Sequence, residues 1–493
     1  MTWARGRRAR SLTGVSDPGT PDVAGLDLET AGVAQVAAAM AAGTLDSEAL
    51  VAGYLARIDA LDRQGPAVNA VRVLAADALD RAGELDAERR AGRVRGPLHG
   101  VPVLVKDNID VAGLPTTGGA LALEHSVPDR DADLVVRLRD AGAVVMGKTN
   151  LTELANFMAE HMPSGYSSLG GQVLNPYDVS LTPCGSSSGS GAAAALGLAT
   201  VTIGTETDGS IICPSDAQSL VGLKPTVGAV PGRGILPISS SQDCAGPMCR
   251  TVEDAAALFA ALTGQASQLA RELPPRPLAD VRLAVPQTSE PLEPADQELY
   301  DAALQVLRDL GATTVGVPAL AETEETVVLH YEFARDVDAY LAALPDGAPV
   351  RTLAELARWN EEHAGAALKY GQAHVLTAIG IDHEADRVSY EAARARDRAV
   401  AGEHGIDATL RTTGAAAVVT PSWHGAGVAA RAGYPSLIVP AGYRRSGRKP
   451  FGVTFLGGSG TEWLLLGLAY AYEQAAKPRR PVSEVNPSLL TAR

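Results

Sequence analysis

The spacing of apolar residues changes character along the chain, and each change predicts a different element. From Thr30 to Arg63 apolar positions recur at helical spacing, with Val33, Val36 and Met40 on one face. This predicts two amphipathic helices broken at Gly43–Asp46, with Thr44 and Asp46 as candidate N-caps. A third helix is expected over Leu74–Arg90, ending before Gly92. The helical period then gives way to a short β-branched run, Gly100–Asn108, which closes on a lysine as a buried strand does. Asp133–Asp140 predicts a helix and Ala143–Gly147 the next buried strand. Strand, helix, strand with short connections marks an α/β sheet. Further strands are expected at Thr200–Gly204 and Val281–Pro286. The second leads through a polar, proline-bearing connection, Gln287–Pro294, into a helix over Ala295–Leu310. A mainly helical insertion spans about 322–411, with Leu353–Trp359 and the charged helix Ala392–Val400 inside it. Strands resume at Ala415–Thr420, Ser436–Val439 and Phe451–Leu456, and Thr461–Gln474 predicts a closing helix.

Strand signals on both sides of the insertion favour one sheet in one large α/β domain; a split near Gly264 is the alternative. A chain of 493 residues is long enough for either. Apolar residues at 46% and charged residues at 20% are ordinary for a soluble globular protein. Aromatics reach only 4% against 51 glycines, so close backbone approach must supply much of the packing. The formal charge of −15 argues against a nucleic-acid partner, though it is compatible with a small basic peptide as a ligand. No run of about 18 apolar residues exists, so no membrane span is expected. Residues 1–25 lack periodicity and read as a disordered basic tail carrying Arg5, Arg7, Arg8 and Arg10. The tail and the Ala-rich run Ala31–Gly43 together look like an export signal, but Asp17, Asp22, Asp27 and Glu29 interrupt them. A cytoplasmic protein is therefore expected. Cys184, Cys213, Cys244 and Cys249 fit neither metal-ligand spacing nor a disulfide-dense domain. They are expected as free thiols in a reducing compartment, with Cys184 and Cys213 as small packing residues.

The candidate chemistry gathers in Pro183–Ser215, where two glycine-and-serine turns flank a small-residue helix and a short apolar strand. Such turns bring backbone close to a ligand and supply hydroxyls. The first, Gly185–Gly191, has three readings. It could cradle a phosphate, but no lysine follows in the P-loop place; it fits a loose dinucleotide fingerprint, but Pro183 and Cys184 stand where a strand should. The third reading is a fixed hydroxyl cluster. The second turn, Thr205–Ile211, offers Ser210 as a nucleophile with backbone N–H groups as an oxyanion hole, or else is a plain polar loop. None of the nine histidines stands in a serine-hydrolase context, there is no G-x-S-x-G elbow, and His99 and His424 lie in glycine-flanked loops. The base for a catalytic serine must then be another group, and Lys106 is available. A lysine closing an apolar strand either snorkels at a sheet edge or, desolvated, loses its proton near neutral pH.

These residues carry a resemblance. Lys106 in VPVLVKDN, PCGSSSGSGAAAA, GTETDGSI and VGLKPTVG (Val221–Gly228) are similar, in order and separation, to the amidase signature family of serine amidohydrolases. Residues 30–262 match well, and PCGSSSGS, GTETDGSI and SQDCAGPM (Ser241–Met248) fit the peptide amidase branch best. The resemblance implies a central mixed β-sheet covered by helices on both faces, over 26–480, with helices at 30–90, a signature core at 95–262, a closing part at 415–476 and a tail at 481–493. It implies a Ser–Ser–Lys triad: Ser210 the nucleophile, Ser186 the relay beside a cis peptide bond, and Lys106 the base, oriented by Ser187. The N–H groups of Thr207, Asp208, Gly209 and Ser210 would receive the oxyanion. The expected reaction is hydrolysis of a carboxamide, a C-terminal peptide amide or related small amide, without metal or cofactor, by a monomer or homodimer. Aryl-acylamide, fatty-amide or other small-amide specificity, an amidotransferase subunit, and a catalytically silent binding protein are the alternatives. Two departures stand out. Ile212 replaces the family's arginine, which argues against the amidotransferase, and Asp208 replaces its usual glycine. A carboxylate there must point away, stabilise the turn, or accept a hydrogen bond from the substrate.

Overall fold

One sheet of 11 strands runs through the molecule, in a computed structural model that describes residues 22–265, 273, 278–321, 327–444 and 447–491. The expected basic tail lies outside the described residues up to residue 21. In chain order the strands are β1 (Val71–Leu74), β2 (Pro102–Lys106), β3 (Val144–Thr149), β4 (Val201–Glu206), β5 (Val221–Lys224) and β6 (Cys244–Cys249). β7 (Arg282–Pro286), β8 (Thr313–Val317), β9 (Ala417–Pro421), β10 (Ser436–Tyr443) and β11 (Pro450–Leu456) complete it. Their order across the sheet is β8-β7-β9-β11-β10-β5-β6-β4-β2-β3-β1. Two parallel triplets, β8-β7-β9 and β4-β2-β3, are joined by antiparallel strands, so the sheet is mixed and passes unbroken across Gly264. All residues of β2, β3 and β4 are buried, as apolar runs covered on both faces must be.

The local signals explain the helices. Asp46 caps Ser47–Ile58 by accepting the Ala49 N–H at 2.7 Å, and Thr251 caps Val252–Thr263 through the Asp254 N–H. The helix expected from Leu74 begins at Ala78, because Val71–Leu74 pairs with β3 as an edge strand. β5, β6 and β8 escaped the pattern reading. VGLK, CAGPMC and TTVGV carry glycine or proline and little alternation, so only their neighbours make them strands. Residues 481–491, expected as a tail, form the helices Val482–Val485 and Pro487–Thr491; Val482 is buried and Asn486 Nδ2 donates to the Pro176 carbonyl at 3.1 Å.

The insertion builds its own core. Phe333, Val337, Leu341, Leu356 and Val375 pack against Leu123, Phe157, Met158 and Leu236, which belong to loops from the strand ends of the main domain. His99 is a buried structural histidine, its Nε2 beside the Leu85 carbonyl at 2.9 Å.

Candidate active site

Lys106 is the last residue of β2 and is fully buried. Its Nζ donates to Ser186 Oγ at 2.8 Å, Thr205 Oγ1 at 2.9 Å and the Thr205 carbonyl at 3.2 Å. Three donors meet three neutral acceptors, with no carboxylate among them. Burial lowers the lysine pKa to about 7, opposed by the more distant charges of Asp243 and Glu206. Near neutral pH the amine therefore exchanges its proton readily, and in its neutral form it can accept the Ser186 hydroxyl.

Ser186 follows a cis Gly185–Ser186 peptide and is held by its carbonyl, which accepts the Thr152 N–H at 3.0 Å. The helix Ser188–Ala195 that carries the turn forward is buried throughout. Small residues are required there: a Cβ on Gly189 would stand 2.4 Å from the Asn150 carbonyl oxygen and 2.5 Å from that of Ala70. Ser187 makes no hydrogen bond to Lys106. Its Oγ donates to the Thr205 carbonyl at 2.9 Å and accepts the Thr205 N–H at 3.1 Å, so it reaches the lysine only through Thr205.

The second turn leaves β4 at Glu206. The buried Glu206 carboxylate accepts the N–H groups of Ile211 and Ile212 at 2.7 and 2.9 Å, closing the chain back on itself. Thr207 Oγ1 donates to Asp243 at 2.5 Å, and Gln242 Nε2 donates to the Thr207 carbonyl at 3.2 Å. Gly209 takes φ of 74°, which a glycine adopts without penalty. The Ser187 N–H donates to the Ser210 carbonyl at 3.2 Å, joining the two turns. Among the described residues no acceptor takes the N–H of Gly209 or Ser210. The Ser210 hydroxyl makes no hydrogen bond to that of Ser186 in this state. The Asp208 carboxylate lies 3.9 Å from the Arg431 guanidinium and against Gly427.

The cysteines are a correction. Cys184 and Cys213 form a disulfide, their Cα atoms 5.9 Å apart across 29 residues, while Cys244 and Cys249 are free and buried. Cys184 precedes the Ser186 turn and Cys213 follows Ser210, so the bond clips one turn to the other. Sequence spacing could not reveal it, because the helix and strand between them fold back on themselves. With that pair oxidised, the composition no longer supports a reducing compartment.

Lys106, Ser186, Ser187, Ser210 and the Thr207–Ser210 turn thus occupy one region at the ends of β2 and β4. Pattern reading missed Thr205, which holds the lysine; Asn108, whose Nδ2 donates to Thr205 Oγ1 at 3.0 Å; the buried carboxylate Glu206; and the partly buried Asp243. Thr205, Glu206 and Asn108 stood in the quoted motifs, but only the fold assigns them partners. Among the described residues, no cluster of three or more His, Cys, Asp or Glu could hold a metal ion, and no helix is long and apolar enough to cross a membrane.

The family model described as Amidase matches residues 49–466. A protein of Arabidopsis thaliana named as a probable amidase is 36% identical over 466 residues, covering 89% of this chain and 88% of its own. Among solved structures, peptide amidase from Stenotrophomonas maltophilia is 43% identical with a TM-score of 0.84, over 91% of this chain and 98% of that one. An amidase family protein from Bacillus anthracis is 33% identical with a TM-score of 0.86, over 92% of each chain.

Proposed function

This chain belongs to the amidase family and is an amide-hydrolysing enzyme, and from that premise we propose that it cleaves unsubstituted carboxamides, foremost C-terminal peptide amides or related small amides, through an acyl-enzyme on Ser210. The observation that carries the mechanism is the 2.8 Å contact between a fully buried Lys106 and Ser186. The similarity to peptide amidase supports the substrate class.

Neutral Lys106 takes the proton of Ser186 Oγ as Ser186 takes that of Ser210, and Ser210 Oγ attacks the amide carbon. The Ser186–Ser210 contact closes when substrate enters, as catalytic hydrogen bonds often do. Negative charge then develops on the carbonyl oxygen, where the uncommitted N–H groups of Gly209 and Ser210 receive it, with Thr207 and Asp208 completing the turn. Thr205 and Ser186 stabilise the ammonium form of Lys106 at the same moment. Proton return through Ser186 to the amide nitrogen breaks the C–N bond and releases ammonia. Water, deprotonated by the same relay, cleaves the Ser210 ester to the carboxylate and regenerates the hydroxyl. Asp208 is tolerable beside this turn because Arg431 faces it. In this reading its carboxylate accepts one N–H of the carboxamide.

The test is ammonia release from an amidated peptide by the wild type and by Ser210→Ala. The variant should keep its circular dichroism and lose turnover by several orders of magnitude; near-normal turnover would remove Ser210 from the mechanism.

A further inference from the structure

The turn bearing Ser210 has an aromatic neighbour that the catalytic reading leaves unused. A Cβ placed on Gly209 would stand 3.8 Å from Cε3 of Trp423, so the indole lies beside the backbone that receives the oxyanion. Trp423 is nevertheless 48% exposed, one of the large apolar side chains that the fold leaves uncovered.

The loop presenting it is rigid. Trp423 follows β9 through Ser422, which takes φ of 51° and is bound on every polar atom. The Ser422 N–H donates to the Gly452 carbonyl at 2.8 Å, its carbonyl accepts Thr454 Oγ1, and its Oγ donates to Asp216. Asp216 is buried on the helix Ile212–Ala217, directly after Ser210, and also accepts the Gly452 N–H at 2.6 Å. Beyond the tryptophan, the His424 N–H donates to the Pro421 carbonyl and its own carbonyl accepts Thr420 Oγ1. A left-handed residue pinned to the helix that follows the nucleophile therefore fixes an indole that is about half exposed. Half-exposed aromatic surface on a rigid support is what a ligand's apolar group would cover.

We infer that Trp423 is the apolar wall of the acyl subsite and gives the enzyme a preference for amides whose acyl part carries a large apolar or aromatic group near the carbonyl. The inference rests on the carboxamide reading above. In a carboxamide the leaving group is ammonia, which carries no substituent, so selectivity must be read on the acyl side. The indole is the large apolar surface adjoining the oxyanion turn on the loop after β9.

The experiment compares N-acetyl-phenylalaninamide with N-acetyl-glycinamide. The ratio of their kcat/KM values should favour the aromatic amide by roughly ten- to hundredfold, the scale on which apolar pockets discriminate. Trp423→Ala should reduce that ratio at least tenfold, chiefly through KM, and Trp423→Phe should restore most of it. A ratio unchanged by Trp423→Ala overturns the inference. Calorimetric binding of both amides to Ser210→Ala, with and without Trp423→Ala, separates the two claims. If the wild type turns over neither amide but tighter binding of the aromatic one still depends on Trp423, the hydrolytic reading falls and this one stands. Equal affinities in both backgrounds overturn this one.

Discussion

Two lysines on neighbouring strands show how the same residue, equally buried, meets different partners. β2 and β3 run parallel, with Val105 opposite Lys148 and Lys106 opposite Thr149, so alternation sends the two lysines to opposite faces. Both are fully buried, and burial pushes both pKa values down. Lys148 meets a carboxylate: its Nζ is 3.1 Å from Asp107, itself bound by Arg72 at 2.6 Å, with Thr116 and Pro115 completing the shell. Lys106 meets only hydroxyls and a carbonyl. A carboxylate in contact stabilises the ammonium and opposes desolvation; hydroxyls bind ammonium and amine alike. The difference teaches that two equally buried lysines are not electrostatically alike: the acceptors at Nζ also bear on how firmly each holds its proton.

The largest effect should come from the lysine without a counter-ion. Lys106→Ala is expected to lower kcat/KM by about 10²–10⁴-fold, the usual contribution of a positioned base, with little change in circular dichroism. In the wild type, kcat/KM should fall as the pH drops through about 7, because below that value the lysine is protonated and cannot accept from Ser186. A profile flat on the acid side would break the contrast, since Lys106 would then be as passive as Lys148.

Lys148→Met should do the reverse. Removing one partner of a buried pair costs roughly 3 kcal/mol, at the lower end of the usual range because Arg72 remains on Asp107. Urea unfolding should show that loss, while kcat per folded molecule and the acid limb stay within about twofold of wild type. Displacement of the acid limb by this variant would mean that the two faces of the sheet are electrically coupled.

The smallest effect concerns a carboxylate that is paired and about a third exposed. Asp208 sits 3.9 Å from Arg431, with its side chain 33% exposed. If it accepts an N–H of the carboxamide, Asp208→Gly should reduce the preference for a primary amide over its N-methyl analogue by about tenfold, the value of one charge-assisted hydrogen bond. Equal changes for both substrates would leave Asp208 as a turn-stabilising residue balanced by Arg431.

Much of this molecule follows from local pattern. Short β-branched and apolar runs located β2, β3, β4, β9 and β11, helical period located the helix from Asp133, and period with the Asp46 cap located the helix Ser47–Ile58. Those signals are local because a helix or a fully buried strand leaves its mark within its own ten residues or so. Residue by residue, the glycine-and-serine turns offered Ser210 as a nucleophile and a hydroxyl cluster beside it, and the lysine ending an apolar strand offered Lys106 as a base; it was the family resemblance that joined Lys106, Ser186 and Ser210 into one set. Partnership was not legible. Thr205 meets Lys106 across 99 residues, Asp243 meets Thr207 across 36, and Ser422 meets Asp216 across 206. Cys184 and Cys213 become a disulfide for the same reason, and β5 and β6 become strands only between β10 and β4. Each of these depends on which strands lie side by side in the sheet, and that order is chosen by burial summed over the whole chain. Sequence determined which groups were present and which segments were rigid enough to carry them; only the tertiary structure decided which acceptors each buried donor would face, because that depends on which strands lie side by side.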